Sequence, residues 1–119
     1  MEISGLEIRT QKADGITTLE LQGRLDSLSS PVLEKQLLDL IANNERQLII
    51  DFSQLSYISS VGLRVFIIAS RQLKTANGRL VLCGQSAEVK GVFDITGFSQ
   101  LFKIVPSQKE AQREISEST

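Results

Sequence analysis

Apolar and polar residues alternate over 6–9 and again over 19–22, with the two-residue period of a strand that buries one face. The dipeptide Asp14-Gly15 lies between these segments, and Asp-Gly is a favoured two-residue hairpin turn. The pattern therefore predicts that the chain opens with an antiparallel hairpin whose second strand continues to Gly23.

The next segments carry the periods of a helix and of a buried strand. Apolar residues recur at steps of three and four after the Ser-Pro pair at 30–31 and stop at the Asn pair at 43–44, which predicts a helix. The wholly apolar run at 48–50 predicts a central strand that is buried on both faces. We expect a loop over 51–58 to follow it.

The second half of the chain repeats the alternation of helix and strand. A second helix is predicted from Ser60 to about Ala76, closed by a left-handed cap at Asn77-Gly78. Further along, the pattern predicts a strand over 80–84, a short helix over 88–93, a last strand over 101–105 and a helix-compatible tail over 107–115.

The order of these elements indicates the fold class. A hairpin followed by strands that are joined through helices predicts a mixed, mostly parallel sheet, because helical crossovers connect parallel strands. We therefore expect an α/β fold in which about four helices cover one sheet. A chain of 119 residues forms a single domain over 1–119, with a frayed end over 116–119.

Composition narrows the possible functions. With His 0 and Cys 1, the chain cannot build a Cys/His zinc site, a nucleophile paired with histidine or an internal disulfide. A net charge of -1 gives no large positive field for nucleic acid or an anionic membrane, and no run approaches the ~20 apolar residues of a membrane span. We expect a cytoplasmic protein that is not an enzyme and uses no metal or cofactor.

The segment over 51–65 holds the candidate chemistry, because it joins the carboxyl end of a buried strand to the start of a helix. Free N–H groups and the macrodipole favour negative charge there, so the fold would tolerate a phosphate on Ser59 or Ser60. The alternative is that Ser59 only caps the helix and Ser60 only fills its first turn. Gly62 costs up to ~1 kcal/mol relative to alanine in a helix, which a closely docked partner would explain.

The second helix is more apolar than one buried face requires. Two stripes follow its axis, one suited to cover the sheet and one displaced around the helix. The second stripe is either buried by neighbouring helices or exposed as a docking patch, and the sequence does not choose. The stripes comprise Leu63, Phe66, Ile67 and Leu73 in the first and Val61, Val65 and Ile68 in the second.

Four segments together resemble a known family. They occur in the family's order and spacing over nearly the whole chain, and they are Gly23-Arg24-Leu25-Asp26, Ile49 to Ser53, Tyr57 to Val65, and Ile95 to Ile104. The chain is similar in these segments to the STAS domains of bacterial anti-sigma-factor antagonists. The resemblance implies a STAS-like fold and a role in regulating transcription.

The resemblance also implies partners and a modification site. In that family the unphosphorylated antagonist binds an anti-sigma factor that is also a serine kinase, and a serine phosphatase reverses the phosphorylation that releases it. The modified serine opens the second helix and corresponds to Ser60. The family's motif there is Asp-Ser-Ser-Gly or Asp-Ser-Thr-Gly, whereas this chain has Ser59-Ser60-Val61-Gly62, so Ser59 is the second choice.

Asp26 matches an aspartate that the family keeps near this serine, although it can equally cap the turn before the first helix. Asp51 is expected to cap its own loop. The predicted partner-binding residues are Asp26, Ser59, Ser60, Val61, Gly62, Arg64 and Val65.

Two other functions compete with this hypothesis. A receiver-type phospho-acceptor at Asp51 would also need an acidic pair and a lysine at strand ends, and the sequence lacks them there. A STAS-like ligand-binding or scaffold module with an unmodified Ser60 remains open.

Overall fold

A computed structural model describes residues 2–3 and 5–117. Six strands form one sheet in the order β1 to β6, antiparallel from β1 to β3 and parallel from β3 to β6. The strands are β1 Glu2–Ile3, β2 Leu6–Ala13, β3 Ile16–Leu25, β4 Gln47–Ile58, β5 Arg79–Cys83 and β6 Lys103–Val105; the helices are α1 Ser30–Ala42, α2 Ser60–Thr75, α3 Ala87–Ile95 and α4 Gln108–Glu117. The predicted mixed sheet with four helices is confirmed.

The opening hairpin has the turn that its sequence requires. Asp14 and Gly15 both have positive φ, 56° and 77°, as a two-residue type I′ turn demands at both positions. This turn pairs β2 with β3 over their full common length, from Leu6↔Gly23 to Ala13↔Ile16. The predicted hairpin is therefore confirmed.

The predicted loop over 51–58 is wrong, because β4 is twelve residues long and continues to Ile58. Beside β3 it contains two register shifts, and in each of them β4 spans one residue more than its partner strand. These extra residues interrupt the alternation of apolar and polar side chains that identifies a strand in a sequence. Beyond Asp51 the strand has no ladder with β5, so its outer half pairs with β3 alone.

The ends of the chain's later elements also differ from the predictions. The last strand begins at Lys103 rather than 101, because a 3-10 turn over Phe98–Leu101 follows Gly97, which has φ 78°. The tail is helical over Gln108–Glu117, which extends the predicted 107–115 at its end. The fraying expected over 116–119 stays a prediction, and 118–119 lie outside the described residues.

Helices cover the two faces of the sheet unequally. Helices α1, α2 and α3 bury the larger core, in which the Phe52 ring meets Phe66 edge-on at 5.2 Å and Phe93 at 5.8 Å between centroids. Helix α4 covers the opposite face, where Ala111 and Ile115 pack on a smaller cluster. None of the helices in the described part of the chain is long and apolar enough to cross a membrane.

Candidate functional site

The junction between β4 and α2 presents two serines in different environments. Ser59 is the N-cap of α2, and its Oγ accepts a hydrogen bond from the Gly62 N–H at 3.1 Å. Ser60 is the first residue of the helix and is exposed. The capping role considered for Ser59 is therefore confirmed, and Ser60 offers the freely accessible hydroxyl of the pair.

The loop that follows β3 lies directly beside this junction. The Ser59 N–H donates to the Leu25 carbonyl at 2.9 Å, continuing the pairing of Leu25 with Ile58. The turn that begins at Asp26 and the start of α2 therefore share one end of the molecule. This is consistent with the resemblance, which implied that Asp26 lies near Ser60.

The Asp26 carboxylate holds the turn before α1. It accepts hydrogen bonds from the backbone N–H groups of Leu28 at 3.0 Å and Ser29 at 3.2 Å. The Ser29 backbone hydrogen bond is the main reason that the pKa of Asp26 lies below its ordinary value, and the Leu28 bond and the Arg24 charge act in the same direction. The capping alternative for Asp26 is confirmed.

Gly62 is explained by the chain itself and not by a docked partner, which corrects the sequence interpretation. The glycine is buried, and a Cβ at this position would lie 2.8 Å from the Leu25 Cγ and 3.0 Å from the Leu25 carbonyl oxygen. The first turn of α2 thus needs glycine in order to pack against the end of β3. Val65 is also buried, at 2% exposure, so neither of these predicted partner-binding residues faces solvent.

A groove between α1 and α2 settles the question of the second apolar stripe. Val65 is buried against the neighbouring helix, whereas Val61 is 47% exposed and Ile68 is half-buried. The second stripe is therefore buried at Val65, as one alternative required, and exposed at Val61, as the other required. The groove has a volume of about 530 Å³ and is lined by Ser30, Pro31, Glu34, Lys35, Leu38, Asp39, Val61, Arg64, Val65 and Ile68.

Sequence reasoning missed three residues at this end of the molecule. Leu28 is 71% and Tyr57 41% exposed, and the Arg24 guanidinium carbon lies 4.2 Å from the centre of the Tyr57 ring. An apolar Leu28 in an otherwise polar turn was a signal that could have found it. The contact between Arg24 and Tyr57 depends on the pairing of β3 with the part of β4 that was predicted as a loop.

Asp51 lies away from this surface, on the face covered by α4. Its carboxylate accepts hydrogen bonds from the Ser53 N–H at 2.8 Å, as predicted for a local cap, and from the Gln108 amide at 2.6 Å.

The Cys83 thiol lies near the same carboxylate. Burial, followed by the charges of Asp51 and Glu20, raises the pKa of this thiol to about 12. Among residues 2–3 and 5–117, no group of three His, Cys, Asp or Glu side chains is placed to hold a metal ion.

Comparisons with known proteins agree on one family. The STAS domain model matches residues 7–111. BtrV of Bordetella bronchiseptica, named as an anti-sigma factor antagonist, is 36% identical over 106 residues, which cover 89% of this chain and 91% of BtrV.

Two solved structures show the same fold. An anti-sigma factor antagonist from Mycobacterium paratuberculosis has a TM-score of 0.85 at 21% identity, covering 93% of this chain and 94% of the other. The Bacillus cell fate determinant SpoIIAA in its phosphorylated form has a TM-score of 0.72 at 20% identity, covering 92% of this chain and 99% of SpoIIAA. With a family model over most of the sequence and a relative at 36% identity, the chain belongs to the STAS domain family.

Proposed function

We propose that the chain is an anti-sigma factor antagonist whose binding is controlled by phosphorylation of Ser60. The unmodified chain binds an anti-sigma factor that is also a serine kinase, and thereby frees a sigma factor for transcription. Phosphorylation releases the chain, and a serine phosphatase restores it. The relatives are regulatory binding proteins and not enzymes, and BtrV carries the antagonist name over nearly the same length.

The accessible hydroxyl of Ser60 is the single observation on which this proposal depends. It opens α2 beside an exposed surface, whereas the neighbouring Ser59 hydroxyl already accepts the hydrogen bond from Gly62. A kinase can therefore reach Ser60 without breaking the helix cap. Ser60 is therefore favoured over Ser59 as the modified residue.

The chemistry at Ser60 is a phosphoryl transfer. A bond forms between Ser60 Oγ and the γ-phosphorus of ATP, the bond from that phosphorus to the bridging oxygen breaks, and ADP leaves. The hydroxyl proton passes to a base on the kinase. The new phosphate sits where free backbone N–H groups and the helix macrodipole favour an anion, and the first turn of α2 contains no acidic residue.

The surroundings of Ser60 support a switch by partner release. Tyr57 and Val61 are exposed apolar side chains near it in sequence, and Leu28 extends the same end of the molecule. Such exposed apolar side chains favour contact with another protein. A phosphate with about -1.5 to -2 charges would be desolvated in that contact, which opposes binding.

A second candidate function is a STAS module that binds a ligand or scaffolds a complex without phosphorylation. The groove of about 530 Å³ between α1 and α2 favours it, because small-molecule sites are concave and of this size. This candidate requires no modification of Ser60, so one experiment separates the two functions.

The separating experiment is phosphorylation in vitro, read by intact-protein mass. The anti-sigma factor that co-purifies with the unmodified chain is incubated with ATP, Mg²⁺ and three forms of the protein: wild type, Ser60→Ala and Ser59→Asn. Asparagine caps a helix about as well as serine but has no hydroxyl, so Ser59→Asn is the matched control.

We expect the wild type and Ser59→Asn to gain one phosphoryl group and Ser60→Ala to gain none. Equal modification of Ser60→Ala, or loss of modification in Ser59→Asn alone, would contradict the assignment of Ser60. An unmodified wild type beside a kinase that phosphorylates a positive-control substrate would favour the second function.

A further inference from the structure

Arg64 is a cation without a partner one turn after Ser60. It is exposed, and within residues 2–3 and 5–117 it makes no hydrogen bond or ion pair. Helix α2 contains three basic residues and no acidic one, so nothing on the helix itself neutralises the guanidinium. An unpaired arginine close to a modifiable hydroxyl is the strongest unexplained feature of this surface.

Arg64 lies four residues after Ser60 in α2, a spacing that favours contact between the two side chains. Residues four apart lie on the same face of a helix, and long side chains lean toward the helix N-terminus and cover the preceding turn. An acidic group four residues before a basic one is also the more favourable order for a pair on a helix. A negative charge on Ser60 would therefore stand within reach of the Arg64 side chain.

We propose that Arg64 binds the phosphate of phosphorylated Ser60 within the chain. This inference rests on the proposed phosphorylation of Ser60 and names the residue that receives the new charge. A guanidinium can give two parallel N–H bonds to phosphate oxygens, which a lysine cannot match. Because Ser59 stands where the family motif has an aspartate, no carboxylate at position 59 repels the phosphate.

Pairing with the phosphate also changes the groove between α1 and α2. Arg64 is the only charged residue that α2 contributes to the described lining of this groove, whereas α1 contributes Glu34, Lys35 and Asp39. The Lys35 ammonium already lies 2.8 Å from the Asp39 carboxylate. When Arg64 pairs with the phosphate, its guanidinium is no longer free to contact a partner in the groove. Phosphorylation therefore adds negative charge at Ser60 and removes a positive contact from the same surface.

The test measures the second pKa of the phosphate directly. Phosphoserine is installed at position 60 during translation, and the full chain is titrated by ³¹P NMR as wild type, Arg64→Gln and Arg71→Gln. Arg71→Gln removes the same charge from the same helix but lies eleven residues from Ser60, so it is the matched control. The Arg64 Nε–H resonance is followed in the same titration.

We expect the second pKa of the phosphate, ordinarily about 6, to be about 0.3 lower in the wild type than in Arg64→Gln, because the guanidinium stabilises the dianion. Arg71→Gln should match the wild type, and the Nε–H signal should shift at the phosphate's midpoint. Equal pKa values in the wild type and Arg64→Gln, or an equal rise in Arg71→Gln, would overturn the proposal.

The outcome is independent of whether Ser60 is modified by the co-purified kinase, because the phosphoserine is installed without it. A failed phosphorylation assay with a lowered phosphate pKa would remove the proposed switch and leave the pairing intact. Successful phosphorylation with no pKa difference would remove the role of Arg64 alone.

Discussion

Ser60→Asp should weaken binding to the anti-sigma factor several hundredfold, while Ser60→Ala should bind within about twofold of the wild type. The alanine removes only an exposed hydroxyl at the start of α2. The aspartate places a charge in the contact, and a charge that is buried there without a cation on the anti-sigma factor costs about 3–4 kcal/mol. At ~1.4 kcal/mol for each tenfold change, that cost is several hundredfold in the dissociation constant.

Calorimetric titration of the partner measures these affinities, and Ser86→Asp is the charge control. Ser86 caps α3, where its Oγ accepts from the Val89 N–H, and aspartate caps a helix equally well. This variant adds the same charge at another helix start and should bind like the wild type. Equal affinities for Ser60→Asp and Ser60→Ala would refute the switch.

Phe52→Ala should lower the free energy of unfolding by about 3–5 kcal/mol, the usual cost of removing a buried phenylalanine. The Phe52 ring is fully buried and makes edge-on contacts with Phe66 and Phe93. Such aromatic pairs add to the loss of buried area. Phe52 also lies in the part of β4, 51–58, that the sequence pattern assigned to a loop, so the variant tests how firmly that part is held in the core.

Urea unfolding followed by circular dichroism gives the free energies of unfolding, with Ile95→Ala as the control. Ile95 is 89% exposed, and its truncation should change stability by less than about 0.5 kcal/mol. A cost below about 1 kcal/mol for Phe52→Ala would contradict the placement of the Phe52 ring in the core.

Local chemistry explains which parts of the fold were predictable. The Asp14-Gly15 turn needs positive φ at both residues, and α1 repeats its apolar residues at helical steps, so both are encoded in short segments. The outer half of β4 is different, because two bulges shift its register against β3. Its strand character depends on pairing with residues some 30 positions away, which a local pattern does not contain.

The same distinction separates the predicted and missed parts of the candidate site. Ser59 and Ser60 could be found as a pair because a buried strand followed by a helix is a usual place for functional residues, and the resemblance to the family then singled out Ser60. The reason for Gly62 could not, since the atoms that exclude a Cβ belong to Leu25, on another strand. The close backbone approach at Gly62 was attributed to a docked partner, whereas Leu25 of the same chain makes it.

The most direct test of the account is one calorimetric series in which the same anti-sigma factor is titrated with the unmodified chain and with the chain carrying phosphoserine at position 60. Phosphate bears about -1.5 to -2 charges, so it should weaken binding at least as much as Ser60→Asp. The account predicts tight binding of the unmodified chain and a loss of several hundredfold or more on phosphorylation. Equal affinities of the two forms would contradict it.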